Sequence, residues 1–303
     1  MKVWIPHQEG TALMGALPSG LTVEIYPGRD RLPSDPSDVE FWVPPFLSGA
    51  EAAAGLALMP GLRVVQLLTA GADVWTGRVG SGVILCDARG VHSSSTSEWV
   101  LTVTLAFVRS IPRFVLAKAE GRWDYALTDE LGGKRILVIG AGAIGEATCD
   151  RLAPFGVELT RVALHPRPGV FGTDELPRLL PAADVVILLV PLTEATRGLV
   201  DSKFLASMGD GALLVNASRG PVVNTEALVA ELSSGRLSAA LDVVDPEPLP
   251  AGHPLWTLPN VLLTPHVAGS VRGFPKRAYA LVGAQLRRFV EGRALDNVVV
   301  DGY

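Results

Sequence analysis

The sequence predicts an α/β fold of two parallel-sheet domains, one inserted into the other. Three observations carry this expectation. Strand-like apolar runs alternate with helical stretches along most of the chain, as in parallel sheets covered by helices. Several of those runs are apolar almost without interruption, as strands buried on both faces are. One string, GKRILVIGAGAIG at 133–145, joins an apolar run to a glycine turn and then to a helical stretch.

Taken in order, the runs at 2–5, 21–25, 39–43, 64–68 and 82–85, with a helical stretch at 48–58, make 1–92 a small α/β unit. The turn Thr69-Ala70-Gly71-Ala72-Asp73 follows one of its strands. Ligands of open parallel sheets gather at the carboxyl ends of strands, so the amides at Ala70 and Gly71 could hold an anion. An ordinary strand-to-helix turn is an equal reading. Residues 93–119 open on serines suited to N-capping and continue as a long apolar helix ending near Arg113, read as core or as a subunit interface. Residues 120–132 read as a connecting loop. A second strand at 156–163 follows the glycine string at βαβ distance, and apolar strands follow at 183–190, 212–216, 239–243 and 261–264. A helix at 274–291 leads to a last short strand at 297–300 that could return to the first unit. The expected division is therefore 1–92 with 272–303 as one domain and 93–271 as the other.

Composition narrows the function. The chain has 303 residues, 48% of them hydrophobic, and a net charge of −5 with no basic cluster, which argues against nucleic acid. Cys86 and Cys149 are too few for a disulfide framework and lack metal spacing, so no metal is expected. The start MKVWIPH reads as a strand rather than a signal peptide. No apolar run approaches the ~18 residues of a membrane span. A cytoplasmic protein without a membrane partner fits.

The glycine string has a physical reading. Gly140 permits the tight turn, Gly142 lets the backbone approach a pyrophosphate, and Gly145 lets helix and strand pack closely. The helix N-terminus, with Ala143 and Ile144 between the glycines, offers free N–H groups to phosphates. The plainer reading is a glycine-rich turn without ligand. Polar groups recur at the ends of the later strands, near Pro191, Ala217, Ser218, Arg219, Asp242, Glu247, His266 and Gly269, on the edge expected to hold the dinucleotide. A nicotinamide enzyme acting on a carbonyl needs a proton carrier, and His266 suits that role. A carboxylate such as Glu247 beside it would favour the imidazolium. Arg219 could fork onto a substrate carboxylate. Each has a blander alternative: Arg219 as a surface ion-pair partner, Glu247 as a solvated loop carboxylate, His266 as a core histidine. His7, His92 and His253 read as structural or exposed.

With these blocks in view, the chain resembles the D-isomer-specific 2-hydroxyacid dehydrogenase family over about 65–300. The resemblance rests on GAGAIG, PLTEATRGLV, LLVNASRGPVVN, ALDVVDPEPLP and PLWTLPNVLLTPHVAG, in that order. It implies two Rossmann-like domains and hydride transfer between NAD(P)(H) and a small 2-hydroxy or 2-oxo acid, with glyoxylate or hydroxypyruvate favoured. It implies catalytic roles for Arg219, Glu247 and His266, substrate contacts from Ala70, Gly71, Arg219 and His266, and a nicotinamide contact from Asp242. It also implies a homodimer through the 93–119 helix. Phosphite or formate dehydrogenation, or a dinucleotide-sensing binding protein, are the alternatives. Two departures stand out. The family's A-E-H reads Ser97-Glu98-Trp99, with Trp99 expected in the interface. The position of the usual acidic residue after the second strand is Ala163, followed by Leu164-His165-Pro166-Arg167. An acid there accepts from the ribose of NAD. Its absence, with Arg167 and His165 nearby, points to NADP before NAD; an Arg167 directed to solvent would leave either cofactor acceptable.

Overall fold

Successive side chains of a strand point to opposite faces of its sheet, so a strand covered on both sides must be apolar throughout. In the computed structural model, which describes residues 1–28 and 31–300, β1 (Lys2–Ile5) sends Val3 and Ile5 into one buried layer and Trp4 into the other. It belongs to a five-stranded sheet with β2 (Thr22–Ile25), β3 (Val39–Trp42), β4 (Val64–Gln66) and β5 (Ile84–Cys86), all pairs parallel, in the order β2-β1-β3-β4-β5. Helices α1 (Gly10–Leu13) and α2 (Ala50–Ala54) complete the N-terminal part. This sheet lies in the unit formed by Met1–His92 and Val271–Tyr303; Ser93–Ser270 forms the second unit.

The second unit opens with α3 (Ser93–Val108) and α4 (Ile111–Ala119). Then come β6 (Arg135–Ile139), α5 (Ala143–Leu152), β7 (Glu158–Val162), α6 (Leu176–Leu179), β8 (Val185–Leu188), α7 (Ser202–Ser207), β9 (Leu213–Asn216), α8 (Thr225–Ser233), β10 (Ser238–Leu241) and β11 (Val261–Leu263). The six strands are parallel in the order β11-β10-β9-β8-β6-β7. Leu137 and Ile139 enter one buried layer. Ile136 and Val138 enter the other, against Val100 and Val103 of α3 and Cys149 and Leu152 of α5. Because β6 pairs with both β7 and β8, the strand order reverses beside it. In open α/β sheets that reversal, at the carboxyl ends of the strands, is where ligands bind.

Helix α9 (Phe274–Val290) returns the chain to the first unit. Phe274, Ala278, Val282 and Leu286 recur every fourth residue and are buried in the layer containing Val3 and Ile5. The approach is close: a Cβ on Gly283 would lie 2.1 Å from the Met14 carbonyl oxygen. Buried Gln285 donates to Gln66 Oε1 at 2.9 Å and to the Asp296 carbonyl at 2.7 Å, and accepts from the Asp296 amide at 3.0 Å. These bonds tie the tail to β4.

Three local expectations are corrected. The helix expected to end near Arg113 stops at Val108 and restarts at Ile111, with a bend of 68° between its two parts. Ser110 takes a left-handed φ of 51°, and Pro112 sits in the first turn of the new helix, where a proline is tolerated as it is not mid-helix. The serines of 93–97 lie inside α3, where Ser97 Oγ donates back to the Ser93 carbonyl at 2.6 Å instead of capping. No strand forms at 297–300. A single antiparallel bridge joins Val298 to Cys86, and Asn297, at φ 55°, interrupts the extended path. Residues 301–303 lie outside the described residues.

Candidate active site

The glycine turn connects β6 to α5. Gly140 has φ 114°, and a Cβ there would lie 2.4 Å from the Leu189 carbonyl oxygen. A Cβ on Gly145 would lie 1.9 Å from the Gly140 oxygen. Both positions therefore exclude a side chain for packing reasons. Gly142 differs: nothing lies within 4 Å of where its Cβ would be. It is the N-cap of α5, extended, and no side chain caps the helix. Exposed Gly142 and Ala143 thus border open space at a helix end whose amides want acceptors. A dinucleotide pyrophosphate fits that cradle.

The polar strand ends come together on the β9–β11 side of the same sheet. His266 Nδ1 lies 2.7 Å from Glu247 Oε1. A carboxylate oxygen accepts, so the hydrogen of this contact lies on Nδ1, and Nε2 is the ring nitrogen left to carry a proton to or from a substrate. Both side chains are partly exposed, His266 at 26% and Glu247 at 42%. His266 has φ 54°, a strained backbone for a residue with a side chain.

Asp242, buried at the end of β10, holds that conformation. Its Oδ1 accepts from Thr264 Oγ1 at 2.6 Å and the Val267 amide at 2.8 Å, and its Oδ2 from the Ala268 amide at 2.9 Å. Its carbonyl accepts from the His266 amide at 2.8 Å. The sequence reading missed this clamp. An aspartate at the end of an apolar strand was the available signal.

Arg219 is positioned by an Asx turn. Asn216 Oδ1 accepts from the Ser218 amide at 3.0 Å and Ser218 Oγ at 2.6 Å, while Asn216 Nδ2 donates to the Arg219 carbonyl at 3.2 Å. The guanidinium donates to the Ser218 carbonyl at 2.8 Å. Gly220, next in line, is required: a Cβ would lie 1.9 Å from the Val244 oxygen. This packing sets the Arg219 loop against the segment that carries Glu247. Pro191 and Gly269 are partly buried at the ends of β8 and beyond β11.

Beyond β7, Arg167 exchanges backbone hydrogen bonds with Val170 across a tight turn. Its guanidinium is not directed simply to solvent: Nη2 donates to the Ala141 carbonyl of the glycine turn at 2.6 Å. Arg161 lies under the same turn, its Nη2 3.1 Å from the place of a Gly169 Cβ. His165 is exposed on the turn. In the first unit, Ala70 and Gly71 are half-buried in the turn after β4, where Thr69 Oγ1 donates to the Gly71 carbonyl at 2.8 Å. Among the described residues there is no group of three His, Cys, Asp or Glu able to hold a metal. The Cys86 thiol is pushed up to about 12, by burial first and then by Asp87 and Asp296; burial also raises Cys149. Neither offers a thiolate near neutral pH.

Comparison with known proteins agrees with this geometry. Residues 101–268 match the family model described as D-isomer specific 2-hydroxyacid dehydrogenase, NAD binding domain. The glyoxylate reductase of Thermofilum pendens is 37% identical over 225 residues, which cover 70% of this chain and 66% of that protein. A D-isomer specific 2-hydroxyacid dehydrogenase from Xanthobacter autotrophicus Py2, solved in complex with NADPH and MES, is 32% identical, with a TM-score of 0.86 over 100% of this chain and 99% of that one. The NADPH-dependent glyoxylate/hydroxypyruvate reductase from Sinorhizobium meliloti, solved with NADP and sulfate, is 26% identical, with a TM-score of 0.85 over 100% of this chain and 99% of that one. With a family model over more than half its length and relatives aligned along its whole fold, the chain belongs to the D-isomer specific 2-hydroxyacid dehydrogenase family and is an NAD(P)-dependent oxidoreductase acting on the CH–OH group of 2-hydroxy acids.

Proposed function

We propose that this enzyme reduces a small 2-oxo acid, glyoxylate or hydroxypyruvate foremost, with NADPH preferred to NADH. The observation that carries the chemistry is the 2.7 Å contact between His266 and Glu247 at the strand ends of the dinucleotide sheet. A bound nicotinamide supplies the hydride. His266, held through Nδ1 by Glu247, delivers a proton from Nε2 to the carbonyl oxygen as the carbonyl carbon takes the hydride, and the product is the 2-hydroxy acid. Arg219 binds the substrate carboxylate with two parallel donors and polarises the adjacent carbonyl. The amides of Ala70 and Gly71 are further candidate donors to the substrate carboxylate. Asp242 keeps the His266 loop in place and would contact the carboxamide of a bound nicotinamide. The unit 93–270 holds the dinucleotide and the other unit contributes to substrate recognition.

The cofactor preference rests on Ala163 and Arg167. Ala163 neither accepts from a ribose hydroxyl nor repels a phosphate. Arg167, anchored on the glycine turn, supplies the attraction that an NADP preference needs. Charged hydrogen bonds contribute about 1.5–3 kcal/mol, roughly ten- to a hundredfold in affinity. The names of the glyoxylate-reducing relatives, and the NADP complex of the Sinorhizobium meliloti reductase, support the same reading.

The test is a panel of glyoxylate, hydroxypyruvate, phosphite and formate, followed at the nicotinamide absorbance with each cofactor, for wild type and Arg167→Ala. Turnover of the 2-oxo acids with NADPH favoured, and loss of that bias in the variant, is the expected result. Phosphite or formate oxidation alone, binding without turnover, or a tenfold preference for NADH would overturn it.

The chain is also proposed to pair with a second copy through 93–119. Exposed Ile111, Val115 and Leu116 on α4 continue into Trp123, Tyr125 and Leu127, which support that assignment.

A further inference from the structure

Arg167 has a second neighbour besides the Ala141 carbonyl. Glu146 Oε1 lies 3.8 Å from Arg167 Nη2, the same nitrogen that donates to the Ala141 carbonyl. Glu146 is the acidic residue in the first turn of α5, directly after Gly145. Both side chains are about half exposed, so the pair is reachable by a ligand and lightly held. A carboxylate in a first helical turn is favoured by the helix dipole. That is the plain reason for a glutamate here, and it would stabilise α5 with or without a ligand.

The position also has a consequence for binding. The helix end that favours Glu146 is the end offered to cofactor phosphates, and the guanidinium that it faces is the one assigned to a 2′-phosphate. A dianionic phosphate brought to Arg167 must either share the guanidinium with a like charge or displace it. NADH, which carries a hydroxyl there, meets no such opposition. We infer that Glu146 is a specificity-determining residue that opposes the 2′-phosphate at Arg167 and so holds the NADPH preference below what Arg167 alone would give. Arg161, under the same turn, adds positive charge to the turn but is partly buried, which leaves Glu146 and Arg167 as the exposed pair. The inference rests on the assignment of Arg167 to the 2′-phosphate.

Equilibrium titrations of the full-length protein with NADPH and with NADH, read by nucleotide fluorescence, separate the two ideas. Glu146→Gln keeps the side-chain length and removes the charge. It is expected to tighten NADPH by about two- to fivefold, the scale of an exposed charge pair, and to change NADH by less than about twofold. The gain should shrink as salt is raised. In an Arg167→Ala background the gain should fall, because the shared group is gone. Thermal melts of the apo-proteins show whether the variant remains folded. If Arg167→Ala leaves NADPH affinity unchanged, the phosphate assignment fails and this inference with it. If Arg167→Ala weakens NADPH but Glu146→Gln leaves it unchanged, or weakens it because the glutamate was orienting the arginine, the role of Glu146 alone is overturned.

Discussion

His266 is one of four non-glycine residues with positive φ among the described residues. Such a backbone is disfavoured by about 1–3 kcal/mol and persists only where its surroundings hold it. Here they are identifiable: the His266 amide donates to the Asp242 carbonyl, and the next two amides donate to the Asp242 carboxylate. The strained turn presents the imidazole to Glu247 while the backbone stays tied to β10. Replacing His266 with Ala removes the proton carrier and leaves that clamp. Turnover is expected to fall by about 100- to 10,000-fold, with NADPH binding within about threefold of wild type because no glycine-turn contact changes. Steady-state kinetics beside a binding titration measure both. Near-full turnover in His266→Ala would end the mechanism.

At the scale of elements, β6 and β8 are joined by side chains as well as by their ladder. Asp184, just before β8, accepts from the Arg135 amide at 2.8 Å and from its guanidinium at 3.2 and 3.3 Å. Burial pushes the Asp184 carboxyl up, but the Arg135 bonds outweigh it and the net shift is below the ordinary aspartate value. The unfolded chain therefore binds more protons than the folded one in mildly acid solution. The contribution to stability is complete above the unfolded value, near 4, and is lost as pH falls through the lower folded value. Asp184→Asn is expected to cost a few tenths to about 1 kcal/mol at pH 7, since the pair is partly exposed. The gap to wild type should close toward pH 3. Urea unfolding at both pH values checks it, and a gap that stays constant with pH would exclude an ionic origin.

At the scale of the whole molecule, the most exposed apolar groups are concentrated on one segment. Trp123, Tyr125 and Leu127 are 97%, 82% and 89% exposed and alternate along an extended stretch. Asp124, between the first two, and Thr128, just after the last, anchor it: Arg113 forks onto Asp124 with two bonds of 2.8 Å, and Arg109 Nε donates to Thr128 Oγ1 at 3.2 Å. An extended strip fixed on its polar side and apolar on the other is a surface that an isolated monomer rarely shows. Sedimentation velocity of the wild type at micromolar concentration is expected to show a dimer. Trp123→Ser combined with Leu127→Ser is expected to weaken it by at least about tenfold, as loss of a buried aromatic anchor does. A monomeric wild type would reject the proposal.

The fold class was legible because it is written in local periodicity. Unbroken apolar runs such as Val185–Leu188 require two covered faces, and the glycine spacing marks a turn in which Gly140 and Gly145 leave no room for a side chain and Gly142 borders open space. The family, too, could be recognised from ordered blocks that need no coordinates. The ends of elements were less legible. The break at Ser110 and the missing strand at 297–300 follow from single backbone torsions that apolar patterning does not encode. What only the tertiary structure decided is which polar groups meet. Asp242 clamps a loop more than twenty residues away, Arg167 reaches back to Ala141, and Glu146 faces that same guanidinium. These contacts join strand ends and turns distant along the chain. Hydrogen bonds and charge pairs act over a few ångströms of space, and only the register and order of the strands converts distance along the chain into distance in space.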